Sequence, residues 1–387
     1  MKKILIHDYC GHPFQFELTK KLAEKNILYH LYFKNDYGPK ASFQHNLKNL
    51  EVYSVGDEIK YNKKNFVDRF FKDLKYGYEI KKLIEKIKPD IVISSNCPTL
   101  SQIYVLKACK IKKIKFYMWV QDFYSIAVNL ILNKKLGFIS KIISYIFFYF
   151  EKKQLKNADK IIIISKEFVN QINIWKINLN KVEYIPNWGN LNNIKKEKIK
   201  NQLFINNNFL GKDKFRLLYT GTLALKHDPS IFIHLAKKNL DIEFVIAGVG
   251  TGYDYLKNQE NLPKNIKLLG LQKFELMNDI LSIADVCFAT LNNDASLFSV
   301  PSKILNYLCA GKPILFYGTK KNLASKIILK NQCGSVFEQG EIDQLNNYLN
   351  NLKYNKKLLE KLSLNSRKYA ETNFDINKVA LKFEKIL

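Results

Sequence analysis

Short apolar runs and amphipathic stretches take turns along nearly the whole chain. "KILIHDY" at 3–9 is a continuous apolar run of strand length, and "FQFELTKKLAEK" at 14–25 places Phe14, Leu18 and Leu22 on one face of a helix. "DIVISSN" (90–96), "IKFYMWV" (114–120) and "KIIIISK" (160–166) are further β-branched or aromatic runs, each followed by helical spacing. From about residue 190 to 213 the pattern lapses into a polar, basic, low-complexity stretch, which reads as a connection between domains. It then resumes with "FRLLYTGTL", a helix near 229–238, "IEFVIAGVG", "NIKLLGL", a helix near 274–283, "DVCFATL", a helix at 301–310 opened by Pro301, and "PILFYG". Two successive runs of βα units predict two doubly wound α/β domains with parallel sheets, residues 1–195 and 196–370, followed by a last helical segment at 371–387. Ligands in such sheets sit beyond the carboxyl ends of the strands, so the expected site is a cleft between the domains.

Composition narrows the class. At 387 residues the chain is too long for one ordinary core, and 47% hydrophobic residues make it globular. The formal charge of +27 favours an anionic partner: nucleic acid, lipid headgroups or a phosphorylated substrate. Six scattered cysteines form no CxxC pair and no zinc spacing, which reads as reduced thiols in a cytoplasmic protein. "MKKILIHDYC" lacks the apolar core of a secretory signal, and no segment has the long uncharged run of a membrane span.

Four loops at strand ends carry candidate chemistry. In "DYCGHPFQ", Gly11 permits close approach of a ligand to the backbone, while His12 and Gln15 offer hydrogen bonds. In "YMWVQDFY", Gln121 and Asp122 follow an apolar strand; Asp122 is a site carboxylate or else the N-cap of the next helix. In "YTGTLALKHDP", Gly221 ends a strand, Thr222 offers a hydroxyl, and Lys226 can neutralise a departing phosphate. "SVPSKILNYLCAGKP" places Ser302 and Lys303 at a helix start, where unpaired amides and the helix dipole suit an anion such as a diphosphate, or else it is an ordinary capped helix with a solvated lysine. "AGVGTG" at 247–252 lacks the spacing of a dinucleotide fingerprint, and no Ser-His-Asp elbow, HExxH or Walker lysine motif is present.

"GHPFQFELTKKLAEKN", "WVQDFY", "ADKIIIISKEF", "VEYIPNWGN", "YTGTLALKHDP", "IAGVGTG", "ADVCFATL" and "VPSKILNYLCAGKP" occur in the order of a retaining glycosyltransferase of family 4. The resemblance covers nearly the whole chain and is nearest to the fucosamine-transferase-like branch used for bacterial surface polysaccharides such as O-antigen and capsule. It implies the GT-B fold, with two Rossmann-like domains facing a central cleft and the C-terminal helix crossing back to the first. It also implies a nucleotide-sugar donor, UDP-linked, held mainly by the second domain, with no metal and no cofactor. By resemblance, Gly11 is the first-loop glycine near the donor diphosphate and Lys226 the phosphate-binding lysine. Ser302 and Lys303 lie where helix-start amides meet phosphates, and Leu271 where the nucleobase packs. His12 and Asp122 are taken with Lys226 as the catalytic set, and Gly221 and Thr222 as donor contacts. The sequence departs from the family at its paired glutamates, which fall on Phe298 and Asn306. Asn306 keeps a polar group for a ribose hydroxyl, and Asp294 is the nearest substitute for the first glutamate. Gln121 stands in place of the family's strand-end histidine, and Thr222 in place of its phosphate-binding arginine.

Two segments, 66–88 and 137–153, interleave aromatics with lysines. Phe66, Phe70, Phe71 and Leu74 alternate with Lys72, Lys75, Lys81 and Lys82, and Ile142, Ile143, Tyr145, Phe147 and Phe148 stand beside Lys141 and Lys152. Such helices suit an anionic membrane surface, or are core aromatics with solvated lysines. The expectation is therefore a cytoplasmic transferase, peripheral at the inner face of the membrane, moving a sugar to a lipid-linked glycan. The rivals are a nucleotide-sugar epimerase of the same fold and a basic nucleic-acid-binding protein. Against the latter, the lysines are spread through both halves and no nucleic-acid-binding motif is recognisable, so no nucleic-acid partner is expected.

Overall fold

In a computed structural model, residues 1–34, 40–56, 66–133, 137–197, 199–224, 226–297 and 299–387 are described. The chain divides into two compact units, Met1–Pro186 with Ile376–Leu387, and Asn187–Asp375. The division falls at Pro186 and not at 195, because the segment from 187 onward is bonded to the second unit. There the amide of Lys195 donates to Asn278 Oδ1 (3.0 Å), and the Arg367 guanidinium reaches the carbonyl of Ile194 (3.0 Å).

Unit 1 is built on β1 (Lys3–Asp8), β2 (Ile27–Phe33), β3 (Leu50–Val55), β4 (Ile91–Ser95), β5 (Lys115–Val120), β6 (Lys160–Ile163) and β7 (Val182–Tyr184). Its helices are α1 (Pro13–Leu22), α2 (Phe66–Ile87), α3 (Thr99–Lys112), α4 (Tyr124–Asn133), α5 (Gly137–Asn157) and α6 (Phe168–Ile174). All strand pairs are parallel, in the order β3-β2-β1-β4-β5-β6-β7. Central strands with helices on both faces must be apolar throughout, and β4 is buried at all five positions. One buried polar chain crosses this core. Ser94 donates to Gln102 Oε1 (2.8 Å), so its oxygen accepts from His7 Nδ1 (2.8 Å) and leaves His7 Nε2 to accept from the Tyr76 hydroxyl (2.8 Å). Burial pushes the His7 imidazole down to about 4, so it stays neutral.

Unit 2 holds β8 (Phe215–Thr222), β9 (Ile242–Val249), β10 (Ile266–Leu268), β11 (Val286–Thr290), β12 (Ile314–Tyr317) and β13 (Gly334–Phe337), again all parallel. Their order is β10-β9-β8-β11-β12-β13. Its helices are α7 (Gln202–Asn207), α8 (Ser230–Lys238), α9 (Thr251–Lys257), α10 (Met277–Ser282), α11 (Lys303–Cys309), α12 (Leu323–Lys330), α13 (Ile342–Tyr354) and α14 (Lys356–Asn373). The polar stretch after 190 is thus no bare linker: α7 buries Phe204 and Ile205. The last helix, α15 (Ile376–Glu384), belongs to unit 1, where Phe383 packs on Trp119 with ring centroids 5.0 Å apart.

Both sheets reverse their winding once, between β1 and β4 and between β8 and β11, and those switch points are where doubly wound sheets open for ligands. Beside the second one, β8 and β9 close on each other to an unusual degree. A Cβ on Gly248 would lie 2.0 Å from the carbonyl oxygen of Gly221. Gly248→Ala is therefore expected to force the strands apart, at a cost of about 1–3 kcal/mol. A shift of the urea midpoint with an unchanged m-value checks this; an unmoved midpoint would show the contact to be soft.

Candidate functional site

At the β8–β11 switch point the chain leaves β8 through Gly221, whose φ of +87° is a conformation glycine adopts without strain. The loop that follows is tied across the switch point, since the amide of Asn292, past β11, donates to the carbonyl of Lys226 (2.9 Å). α11 is fixed over the same place by Tyr307. Its buried hydroxyl accepts from the amide of Thr220 on β8 (2.9 Å) and donates to the carbonyl of Phe288 on β11 (3.3 Å). One phenol thus fixes the helix to both diverging strands.

That arrangement assembles two lysines. The Lys226 ammonium donates to Ser299 Oγ (2.8 Å), and the buried Ser299 is held in turn by Asn322, whose side-chain amide donates to its carbonyl (2.9 Å). The Lys303 ammonium lies 4.5 Å from the centre of the Tyr219 ring, a cation on an aromatic face. Burial, and then the charge of Lys226, push Lys303 down to about 7. His227 completes the group. Its Nδ1 accepts from the amide of Ala224 (2.9 Å), which leaves the proton on Nε2. Burial and the two lysines push this imidazole down to about 2, so it remains neutral. The charge of Lys226 thus bears on Lys303, and both lysines bear on His227, so the loop after β8 and the start of α11 bring two cations together.

The remaining donor-side residues are more dispersed. Thr222 is exposed at the end of β8, and Tyr219 donates from its hydroxyl to the Thr222 carbonyl (2.8 Å). α11 begins at Lys303, so Pro301 and Ser302 form the turn before it, and Ser302 makes no side-chain cap. With only seven residues it is shorter than the helix read from 301 to 310. Asn306 is half-buried on it, Asp294 is exposed in the short 3₁₀ turn Asn293–Leu297, and Leu271 is 38% exposed after β10. Phe298 lies outside the described residues.

In unit 1 the first loop is organised by Asp8, which is fully buried. Its carboxylate accepts from the amides of Cys10 (3.2 Å) and His12 and from His12 Nδ1 (3.1 Å). Burial works against this charge, but His12 outweighs it and holds the carboxyl below its usual range. His12 is therefore oriented by its own loop. Gly11, at φ +70°, passes its carbonyl to the amide of Ala41 (2.9 Å). Gln15, on α1, donates to Ser95 Oγ (2.9 Å).

Asp122 borders a small cavity of about 20 Å³, room for one water, shared with Asn96, Cys97, Gln121, Tyr124 and Glu151. Glu151 reaches across from α5 to the start of the helix that follows Asp122. Its carboxylate accepts from the amides of Tyr124 (2.8 Å) and Ser125 (2.9 Å) at the start of α4, and from the Ser125 hydroxyl (2.5 Å). Burial, reinforced by the Asp122 charge, holds the Glu151 carboxyl above its usual range.

Sequence reasoning passed over His227, Ser299, Tyr219, Tyr307, Asp8 and Glu151. Two had a visible signal: His227 follows Lys226 directly, and Glu151 is the single acid between 123 and 158. The others act through partners 73 to 87 residues away or, for Asp8, through a turn that only the fold closes.

Residues 200–369 match the model of the family described as glycosyl transferases group 1. An uncharacterized glycosyltransferase of Methanocaldococcus jannaschii is 32% identical over 219 residues, 52% of this chain and 50% of that one. The putative colanic acid biosynthesis glycosyl transferase WcaI of Escherichia coli is 25% identical over 172 residues, 42% of this chain and 41% of that one. The matches thus span half or less of these curated relatives. Among solved structures, HepE of Anabaena in complex with UDP-glucose superposes with a TM-score of 0.72, covering 100% of this chain and 99% of that one at 14% identity. The fold is accordingly GT-B, with two Rossmann-like parallel-sheet units.

Proposed function

We propose that the protein is a retaining glycosyltransferase. It takes a sugar from a nucleoside diphosphate donor, UDP-linked, and passes it to a hydroxyl of a lipid-linked glycan at the inner face of the membrane, in the making of a surface polysaccharide. The observation that carries the reading is the placing of Lys226 and Lys303 together at the β8–β11 switch point, where the charge of one lowers the other. Two cations set together cost energy until an anion arrives, and a diphosphate is the anion such a switch point receives. The family match and the UDP-glucose complex of HepE point the same way.

In this reading the acceptor hydroxyl attacks the anomeric carbon on the face from which the diphosphate departs, and a diphosphate oxygen takes the hydroxyl proton. Lys226 and Lys303 neutralise the charge that grows on the leaving oxygen. Neutral His227 supplies an Nε2–H donor without adding a third cation.

The low value for Lys303 gives this a pH signature. Lys303 is expected to be partly deprotonated in the free protein at pH 7, and a bound diphosphate to restore its full charge. Binding of UDP is expected to take up about half a proton at pH 7 and to weaken about 5-fold between pH 7 and 8. Stability moves the opposite way. The unfolded chain holds this proton up to the ordinary lysine range and the folded chain does not, so stability rises with pH from about 7 upward. Calorimetry of UDP binding in buffers of different ionisation enthalpy reads the uptake directly. Binding with no proton uptake would place the diphosphate elsewhere. Release of UDP that requires an added acceptor separates transfer from epimerisation.

A further inference from the structure

α5 is amphipathic the wrong way round for a helix facing water. Its most buried residues are largely polar, Ser140, Ser144, Glu151 and Gln154 beside Leu155, while half-buried Phe148 packs edge-on against Trp175 (5.2 Å). Those it turns outward are apolar: Ile142 (52% exposed), Tyr145 (68%), Ile146 (42%) and Tyr149 (50%). The spacing i, i+3, i+4, i+7 makes the second set one continuous stripe. Two of the inward polar groups are bonded, Glu151 at the start of α4 and Gln154 on the carbonyl of Thr99 (2.7 Å), while the Ser144 hydroxyl is buried without a partner among the described residues.

Charge specifies what the stripe faces. Between residues 123 and 158 the sequence has six lysines and one acid, and that acid, Glu151, is the one turned inward. Lys152 and Lys153 lie over the rings of Phe148 and Tyr149, at 5.6 and 5.7 Å, so their stems follow the apolar surface while their charges stay at its rim. α2 differs. It also exposes Phe70, Phe71 and Tyr78, but its lysines alternate with acids and close i,i+4 pairs, Lys72 with Asp68 and Lys81 with Glu85. Its excess charge is largely compensated within the helix.

Resting on the transferase reading and deepening it, we infer that the outer face of α5 is the surface by which the protein lies on an anionic bilayer. Ile142, Tyr145, Ile146 and Tyr149 enter the headgroup region, and Lys141, Lys152, Lys153 and Lys156 meet lipid phosphates. A stripe with lysines on its margin suits the plane of the interface, where an amphipathic helix sinks part-way. Among the described residues no helix is long and apolar enough to cross a membrane.

Vesicle flotation tests this without any assay of transfer. Wild-type protein is expected to float with phosphatidylcholine vesicles containing phosphatidylglycerol at low salt, to bind pure phosphatidylcholine at least about 10-fold less, and to be released by high salt. The triple variant I142S/Y145S/Y149S is expected to lose at least about 10-fold in bound fraction. It should keep the wild-type melting temperature and UDP affinity, because all three side chains are exposed in the free protein. K152E/K153E should abolish the preference for the anionic vesicles. Wild type that stays in solution at low salt overturns the proposal, as does a triple variant that floats unchanged. So does a wild-type dimer that the triple variant splits, since a second copy would then cover the stripe. UDP binding with no flotation leaves the transferase reading standing and removes only this one. Flotation with no UDP binding does the reverse.

Discussion

Lys226→Ala is expected to lower kcat by about two to three orders of magnitude while the protein stays folded. The lysine reaches Ser299 Oγ from a loop, and nothing in the core of unit 2 leans on its charge. Ser299 keeps its place without it, because Asn322 still holds its carbonyl and its own amide still donates to the carbonyl of Ala295 (3.0 Å). The loss should fall on kcat more than on KM, since the charge the lysine meets grows as the diphosphate leaves. Removing Lys226 also relieves Lys303, whose depressed value depends in part on that neighbour. The pH at which donor binding weakens should therefore move upward in the variant. Steady-state kinetics with saturating donor, together with a melting curve, decide it. A kcat close to wild type would take Lys226 out of the mechanism.

Glu243→Ala carries the largest expected cost to stability, about 3–5 kcal/mol. Arg216, at the start of β8, is fully buried, and Glu243 on β9 is its ion-pair partner (2.7 Å). The same carboxylate accepts from the amide of Gly211 (2.9 Å), and Arg216 donates to the carbonyl of Gly211. Removing the glutamate strands a guanidinium in the interior and unties the chain entering β8. Replacing both partners with apolar residues of similar volume, Arg216→Met with Glu243→Leu, should recover much of the loss, because no charge is then left buried. Urea unfolding of the single and double variants measures this. The pair sits at the amino end of β8, away from Lys226, so activity per folded molecule should hold. A single variant within about 1 kcal/mol of wild type would mean that water reaches Arg216.

What could be read from the sequence follows how each element is buried. β4 and β6 are continuous apolar runs because helices cover both their faces, and such runs stand out by eye. β3 and β7 lie at the sheet edge, part-exposed or three residues long, and carry no such run. α7 was hidden in a lysine- and asparagine-rich stretch, because it buries only Phe204 and Ile205. Among site residues, Lys226 declared itself by standing just past a strand end and Lys303 by standing at a helix start. Tyr307 and Ser299 did not, since a tyrosine in a helix and a serine in a loop are ordinary until two strands and a lysine converge on them. Lys312 shows the converse. It stands in a conspicuous Gly-Lys-Pro turn, yet it spends its ammonium on the carbonyls of Ser282 (3.2 Å) and Ala284 (2.7 Å).

The division of the chain has a consequence for the order in which the protein can be made. α15 is separated from the rest of unit 1 by the whole of unit 2, yet unit 1 depends on it: Phe383 covers Trp119, the carbonyl of Ile386 accepts from the Tyr117 hydroxyl (2.8 Å), and Glu384 pairs with Lys25 (2.9 Å). On the ribosome, the first half to emerge is therefore the last to be finished. Unit 2 has all of its own sequence once residue 375 is clear, while unit 1 waits with an apolar flank uncovered until residues 376–387 follow. A nascent chain of this design offers chaperones a long interval in which to hold its first unit.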